Sequence, residues 1–470
     1  MNNAQRQLSP LFFGILSLPA TAMGFALSVQ IAALSWILTT QYGLDIHEVG
    51  FVWAAGPIAG ILGQVIIGIV SDRTWFWGGR RRPFIFIGGF IAAIMLLALP
   101  NIDVISSELG IEALIGVAIV VALSLDLAIN VSFNPTRSLI TDVTPSGDQR
   151  TRGYTWMQTI SGSFGVLAYA IGAYWGNYVL IYFAVGLVLA FSLLPPLFIT
   201  EPRELAPNQT DDEEQGTTVE MIMAIKPLWG FALYSLYAMP ARIFGFEADH
   251  FYVEIAAIIL TLGLMAETIF RTETAANSAT VGFRKVATAN ALSWIGVQSM
   301  FVYMIAFVQG RISGLDDNSV GQVISISFLI LNAVAAILPA TVLAPLSRRI
   351  GTVATMAVCT ATMGLGYFLI LGVASTVTTL YLLMAVLGIG WAAIVSLPFA
   401  IMSRKANPAK MGQFMGLFNL SIVLPQLFVS LAIGLLVSRM EDQSQVFWVS
   451  GIALLLSALA WSQTRDSKGH

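Results

Sequence analysis

GIVSDRTWFWGGRRRP, residues Gly68 to Pro83, closes one long apolar run and opens the next, and it does so with an acid followed by a dense basic cluster. Arg73, Arg80, Arg81 and Arg82 cannot enter hydrocarbon without a cost of several kcal/mol each, so they stay at a membrane face. The bias of Lys and Arg toward the inside makes that face the cytoplasmic one. Gly68 lets two helices approach closely, and Asp72 ends the helix that carries it. The stretch therefore reads as a short cytoplasmic tether between two membrane-spanning helices.

The composition around it agrees. Apolar residues make up 57% of the 470-residue chain and charged residues 10%, where a soluble domain carries roughly a quarter charged residues. The mean hydropathy is +0.79, more apolar surface than a soluble fold can hide. The single cysteine, Cys359, sits in an apolar run and reads as a small core residue, which leaves no disulfide and no redox chemistry. The opening MNNAQRQLSP is short and polar. The apolar segment after it is too long for the core of a cleaved signal peptide and is expected to remain as the first span.

Apolar stretches of about 20 residues recur along the chain, the length that crosses a bilayer core. Six fall near 11–40, 49–70, 84–100, 112–134, 155–175 and 178–199. Six more fall near 287–308, 320–346, 353–374, 379–401, 414–437 and 446–463. Six plus six is the two-bundle plan of a permease. The expected organisation is an N-terminal six-helix bundle over 1–200, a solvated cytoplasmic acidic linker over 201–225 that starts EPRELAPNQTDDEEQG, an inserted apolar hairpin over 226–270, and a C-terminal six-helix bundle over 271–470. The hairpin has two nearly membrane-length segments separated by Arg242, Glu247, Asp249 and His250, with the turn reaching water on the far side. The alternative is a pair of amphipathic helices lying along the surface. Of the 23 Lys and Arg residues, all but Arg137, Arg242, Arg311 and Arg439 then fall on the cytoplasmic side, with both termini there as well. APLSRRIG, Ala344 to Gly351, repeats the basic tether in shortened form at the matching place of the second half.

Charged residues inside spans are functional candidates by default. Asp126 lies mid-span in LSLDLAINVSFNPTRSLITD, and at about 100° per residue Asn130 and Arg137 return to within roughly 40° and 20° of it. One helix face therefore carries all three and must line protein or a cavity. A carboxylate at that depth can take up and release a proton near neutral pH, whereas Arg137 stays charged and can anchor a hydroxyl-rich ligand or balance Asp126 once its proton leaves. Two alternatives stand beside this: Asp126 makes a structural hydrogen bond only, and Arg137 reaches the cytoplasmic surface to pair with Asp72 or Asp142. Gln30, Gln158, Gln298, Asn332, Asn419 and Gln426 are further polar residues inside spans, and Phe25, Trp294 and Trp391 are rings suited to a sugar's apolar face. All of these equally suit interhelical packing. Asp72, Arg73, Arg80, Arg81, Arg82 and Asp142 are candidates for a cytoplasmic gate. His47, His250 and His470 stand apart in loop or tail positions, so no metal site is expected, and without a phosphate-binding loop the energy source is a gradient rather than ATP or a cofactor.

GPIAGILGQVIIGIVSDRTWFWGGRRRPFIFIGG from Gly56 to Gly89, the run from Asp126 through Asn130, Pro135 and Arg137 to Asp142, and SLPFAIMSRK with GQFMGLFNLSIVLPQ from Ser396 to Gln426 together resemble the sucrose-proton symporters, as a bacterial member. These belong to the glycoside-pentoside-hexuronide:cation branch of the major facilitator superfamily. The resemblance implies an all-α membrane protein with the major facilitator fold, two six-helix bundles plus the central hairpin, about 14 transmembrane helices with 12 as the alternative. It further implies a proton-coupled importer of a sugar, an α-glucoside disaccharide such as sucrose or maltose, working by alternating access, with Asp126 as proton carrier and Arg137 supporting substrate coupling. The expected partners are sugar, proton and lipid bilayer, with no nucleic acid. The expected location is the inner or plasma membrane, as a monomer. Asn134 stands where bacterial relatives commonly carry an acid, and the insertion departs from the usual twelve spans. A proton-driven multidrug-type exporter and a non-transporting sensor or scaffold on a permease fold are the alternative functions.

Overall fold

A computed structural model describes residues 8–60, 70–71, 74–110, 114–145, 148–203, 218–243, 251–274, 277–405 and 411–466. Helices dominate them because uninterrupted apolar sequence in lipid must satisfy its backbone hydrogen bonds within each segment. Helix α1 is Pro10–Thr40, started by Ser9, whose hydroxyl accepts from the Phe12 amide at 3.3 Å. Then come α2 Ile46–Trp53, α3 Arg82–Ala98, α4 Leu114–Val143, α5 Asp148–Trp175 and α6 Asn177–Leu193. The hairpin segments are α7 Trp229–Ile243 and α8 Tyr252–Phe270. They are followed by α9 Phe283–Arg311, α10 Asp317–Leu338, α11 Thr352–Val373, α12 Val377–Ser396, α13 Met411–Phe428 and α14 Phe447–Ser462. A π-helical turn, Val429–Ile433, carries α13 on into Gly434–Ser438.

Eleven helices among the described residues are long and apolar enough to cross a membrane. Helix α5 is not one of them despite its 28 residues, because Thr155, Gln158, Thr159 and Ser163 dilute its hydropathy. Helix α7 is 15 residues long, and residues 61–69 of the second span lie outside the described residues. The architecture is that of an all-α membrane protein.

The chain divides into two units, residues 1–209 with 314–329, and residues 210–313 with 330–470. In the first, α3 lies against α4 and α6 through adjacent glycines: a Cβ on Gly88 would come within 2.6 Å of Ala128 O, and one on Gly89 would strike Ser192. Hydroxyls in this apolar setting turn back onto their own helix, as Ser17 does to Phe13 O at 2.7 Å and Thr21 to Ser17 O at 2.9 Å.

The second unit is organised on α9, 94% buried over its apolar stretch, whereas α8 is only 28% buried and forms the unit's outer layer. The hairpin belongs to this unit. Its two helices run antiparallel, with Lys226 bonded to Glu267 at one end and Tyr234 to Glu254 nearer the other. Phe231 and Tyr234 stack on Phe428, ring centroids 5.1 and 5.2 Å apart. At the hairpin's tip the Phe251 ring lies 4.4 Å from the Arg439 guanidinium, past the far end of α13. The base of the hairpin meets the start of α9, where Arg284 and Arg271 act electrostatically on Glu267. The pair therefore runs the length of its unit. Arg311, closing α9, pairs with Asp442 at 3.4 Å, so the residues after α9 and after α13 share one end. There the Ser444 hydroxyl, and after it Arg311, hold the Asp442 carboxyl below its ordinary range.

Candidate functional site

Asp126 is 4% exposed in α4. Gln30, 4% exposed in α1, donates its amide to Asp126 Oδ2 at 2.9 Å. The other wall is Gly56, where a Cβ would lie 3.4 Å from the same oxygen, so a larger residue there would press on the carboxylate. Among the described residues no Lys or Arg lies within ion-pair distance of Asp126. Asn130, one turn on, donates to Asp126 O at 2.8 Å. The helix continues unbroken through Pro135 to Val143, nine residues past the end of the apolar stretch, so Arg137 and Asp142 are helical rather than in a loop. Exposure rises along this face, from buried Asp126 through half-buried Asn130 to exposed Arg137.

Arg137 sits roughly 16 Å from Asp126 along the axis. Its guanidinium lies 4.2 Å from the centre of the Phe133 ring, and Tyr154 donates to its carbonyl. Asp142, offered as its alternative partner, is instead held by Arg81 at 2.9 Å. On α5, Gln158 is exposed beside Thr155 and Thr159, and a row of exposed polar groups on a membrane-length helix belongs to a water-lined surface.

In the second unit Gln426 donates to Gln298 Oε1 at 3.2 Å, joining α13 to α9, and half-buried Asn419 stands two turns from Gln426 on the same face of α13. The Trp391 indole donates to Asn332 at 3.1 Å and packs edge-on to Trp294 and Phe301. Trp294 and Trp391 are both half-buried and keep open ring surface. Phe25 does not: it is fully buried against Phe183, centroids 5.9 Å apart, and is a packing residue.

Of the candidate gate residues, Asp72 and Arg73 lie outside the described residues. The other basic residues meet an acid that the sequence placed in the solvated linker. Glu201 is 7% exposed; its Oε2 accepts from the amides of Arg80 at 2.7 Å and Arg81 at 2.8 Å, and its Oε1 from Arg82 at 2.8 Å. It thus caps α3, with its charge at the positive end of the helix dipole. Arg82 reaches Ile199 O, Arg80 reaches Arg203 O, and Arg81 bonds Ser71 and Asp142. Every one of these partners lies within the first unit.

The second unit repeats the device. Asp466, following α14, accepts the Val353 amide at 3.3 Å at the start of α11, and Gly351, with φ of +92°, brings the backbone onto the same carboxylate. Beside it is a buried ion pair absent from the sequence reading: Lys405 bonds Glu273 at 2.6 Å with both side chains at most 2% exposed, and Glu273 also takes the Arg465 amide at 3.0 Å. His47 stands in the first turn of α2 against Phe51 rather than in a loop, while His250 and His470 are outside the described residues. Among the described residues no three His, Cys, Asp or Glu side chains converge.

The chain is 26% identical to Sucrose transport protein SUC4 of Arabidopsis thaliana over 440 residues, 86% of this chain and 80% of that one. It is 27% identical to Sucrose transport protein SUT2 of Oryza sativa subsp. indica over 463 residues, 88% and 85% of the two chains. A shorter match, 31% identical over 174 residues, covers 33% of this chain and 31% of the General alpha-glucoside permease of Schizosaccharomyces pombe. Among solved structures, the POT family transporter PepTSo superposes with a TM-score of 0.68 at 12% identity, covering 96% of this chain and 97% of that one. The peptide transporter POT in complex with sulfate gives 0.67 at 16%, covering 98% and 96%. These two likenesses are of fold. The family model of the Major Facilitator Superfamily matches residues 16–424 and 286–470, and with the two helical units and their repeated acid caps it places this chain in that superfamily.

Proposed function

We propose that this membrane transporter is a proton-coupled symporter that imports a sugar, an α-glucoside disaccharide such as sucrose or maltose, by alternating access. The observation that carries the proton half is Asp126: a buried carboxylate mid-span whose side-chain partner is the neutral Gln30 amide and which, among the described residues, has no Lys or Arg within ion-pair distance. Proton binding is the chemistry such a group can offer, because an isolated anion enclosed by apolar helices is costly. The sugar half is supported by the sucrose and alpha-glucoside names of the relatives, and by the stock of neutral polar groups and rings that hydroxyl-rich ligands require.

Asn130, Arg137, Gln30 and Gln158 in the first unit, and Gln298, Asn419 and Gln426 in the second, are the proposed substrate contacts, with Trp391 and Trp294 offering ring faces. Arg137 is suited to the role because its guanidinium keeps donors to spare beyond its contact with Phe133. Asp72, Arg73, Arg80, Arg81, Arg82 and Asp142 form the proposed cytoplasmic gate, with the Glu201 brace as its fixed part. The placement of Lys and Arg supports both termini in the cytoplasm, the proposed form is a monomer in the plasma membrane, and the hairpin reaching from Arg284 to Arg439 supports two additional crossings.

Purified protein in proteoliposomes, given labelled sucrose or maltose and an imposed inward proton gradient, tests the proposal. Accumulation that collapses with a protonophore supports it. Outward movement supports an exporter, and binding without flux supports a sensor.

A further inference from the structure

The hairpin leaves a seam along its unit. Between α8 and the α9, α13 and α14 surfaces lies a cavity of about 260 Å³ whose walls include Leu262, Met265, Leu292, Ile295, Ile452 and Leu456. Thr261, the hydroxyl-bearing residue on this wall, turns its hydroxyl to Ala257 O at 2.7 Å, so the seam presents apolar surface. Leu262 and Ile452 are also 45% and 50% exposed on the outer surface, which opens the seam toward lipid.

At the hairpin's base the seam's character changes. Arg284 stands in the first turn of α9 and exposed Arg271 just past the end of α8, near enough to act on each other electrostatically. One acid, Glu267, faces them, and its carboxylate is taken by Lys226 at 2.7 Å. Among the described residues, Lys226, Arg271 and Arg284 thus act on this one carboxylate. The Nε of Arg284 is buried without a hydrogen-bond partner. Ile295 lies eleven residues beyond Arg284, within about 20° of the same helix face and roughly 16 Å along the axis. Cationic heads at one end and an apolar slot beginning a few turns deeper match the dimensions of a lipid, with a headgroup at the interface and a chain in the hydrocarbon.

We infer that this seam binds one anionic phospholipid, its phosphate on Arg271 and Arg284 and an acyl chain in the slot between α8 and α9. The hairpin then functions as one wall of a lipid site as well as an outer layer. The charge surplus selects the anionic headgroup, and the apolar slot selects the chain.

Native mass spectrometry of the full-length protein, incubated with equimolar phosphatidylglycerol and phosphatidylcholine of identical chains, tests this. The wild type is expected to retain one phosphatidylglycerol with about 30-fold preference, two cations each favouring the anionic headgroup. Arg271→Gln with Arg284→Gln is expected to abolish the preference while lipid is still retained, and Ile452→Trp, at the exposed mouth of the slot, to lower retention of both lipids. Equal retention of the two lipids by the wild type, or an unchanged preference in the double glutamine variant, overturns the assignment. So does thermal stabilisation by inorganic phosphate alone that matches phosphatidylglycerol, since that assigns the cations to a free anion. Circular dichroism of each variant keeps loss of fold separate from loss of lipid.

Discussion

Replacing Glu201 by Gln removes one charge and turns one of its two acceptor oxygens into a donor, at a side chain that serves three consecutive amides. In its better orientation the new amide oxygen keeps the N–H groups of Arg80 and Arg81 and presents its NH2 group to the amide of Arg82. One charge-assisted bond is lost and a buried donor is left unmet, about 2 kcal/mol. The two surviving bonds become neutral ones, each weaker by roughly 0.5–1 kcal/mol. Loss of the anion at the start of α3 adds about 0.5 kcal/mol. The total is about 4 kcal/mol. At about 2–4 °C per kcal/mol for a unit of this size, the first unit is expected to melt roughly 10 °C lower. Tryptophan fluorescence during a thermal ramp in detergent measures it. A change under about 2 °C would mean that water or another group satisfies the three amides and that Glu201 is no brace.

Three other outcomes are expected. Asp126→Asn keeps an acceptor for Gln30 and so should preserve the fold, abolish accumulation of sugar driven by a proton gradient, and spare exchange of labelled for unlabelled sugar; full accumulation would remove Asp126 from coupling. In a Cys359→Ala background, a cysteine replacing Asp249, itself outside the described residues, should react with an impermeant reagent added outside the cell, and labelling solely from the cytoplasm would make the hairpin a surface pair. Asp72→Asn should favour the inward-facing population and slow net uptake with little change in affinity from the cytoplasmic side, because a contact shifts an equilibrium only if it differs between the two states; accessibility of cysteines facing either side of the membrane that matches the wild type would reduce the tether to an orientation signal.

The spans, the membrane class and buried Asp126 were legible because each rests on a local property: the length of an apolar run, or the depth of a charge within one. Helix ends were less so, since hydropathy falls where charge begins while backbone hydrogen bonding continues, as in α4 between Asn134 and Val143. Partners distant in sequence were not legible. Helical periodicity relates Asp126 to Asn130 but is silent about Gln30, which is 96 positions away. Glu201 heads an acidic run and was read with that run as solvated, although it also follows directly on the end of a span. Glu273 and Lys405, 132 positions apart, carry no mark that separates them from ordinary loop charges until the fold buries both.

The two acid caps bear on how the chain is made. The amides at the start of α3 wait for a residue 119 to 121 positions later, and the Val353 amide at the start of α11 for one 113 positions later. Helices leaving the translocon in order can therefore associate early, yet neither cap closes until Glu201 or Asp466 has been synthesised. A ribosome that stopped just before Gln463 would release a second half with α9 to α14 present, but it would take one hydrogen-bond partner each from Lys285, Lys405, Glu273 and the α11 amide.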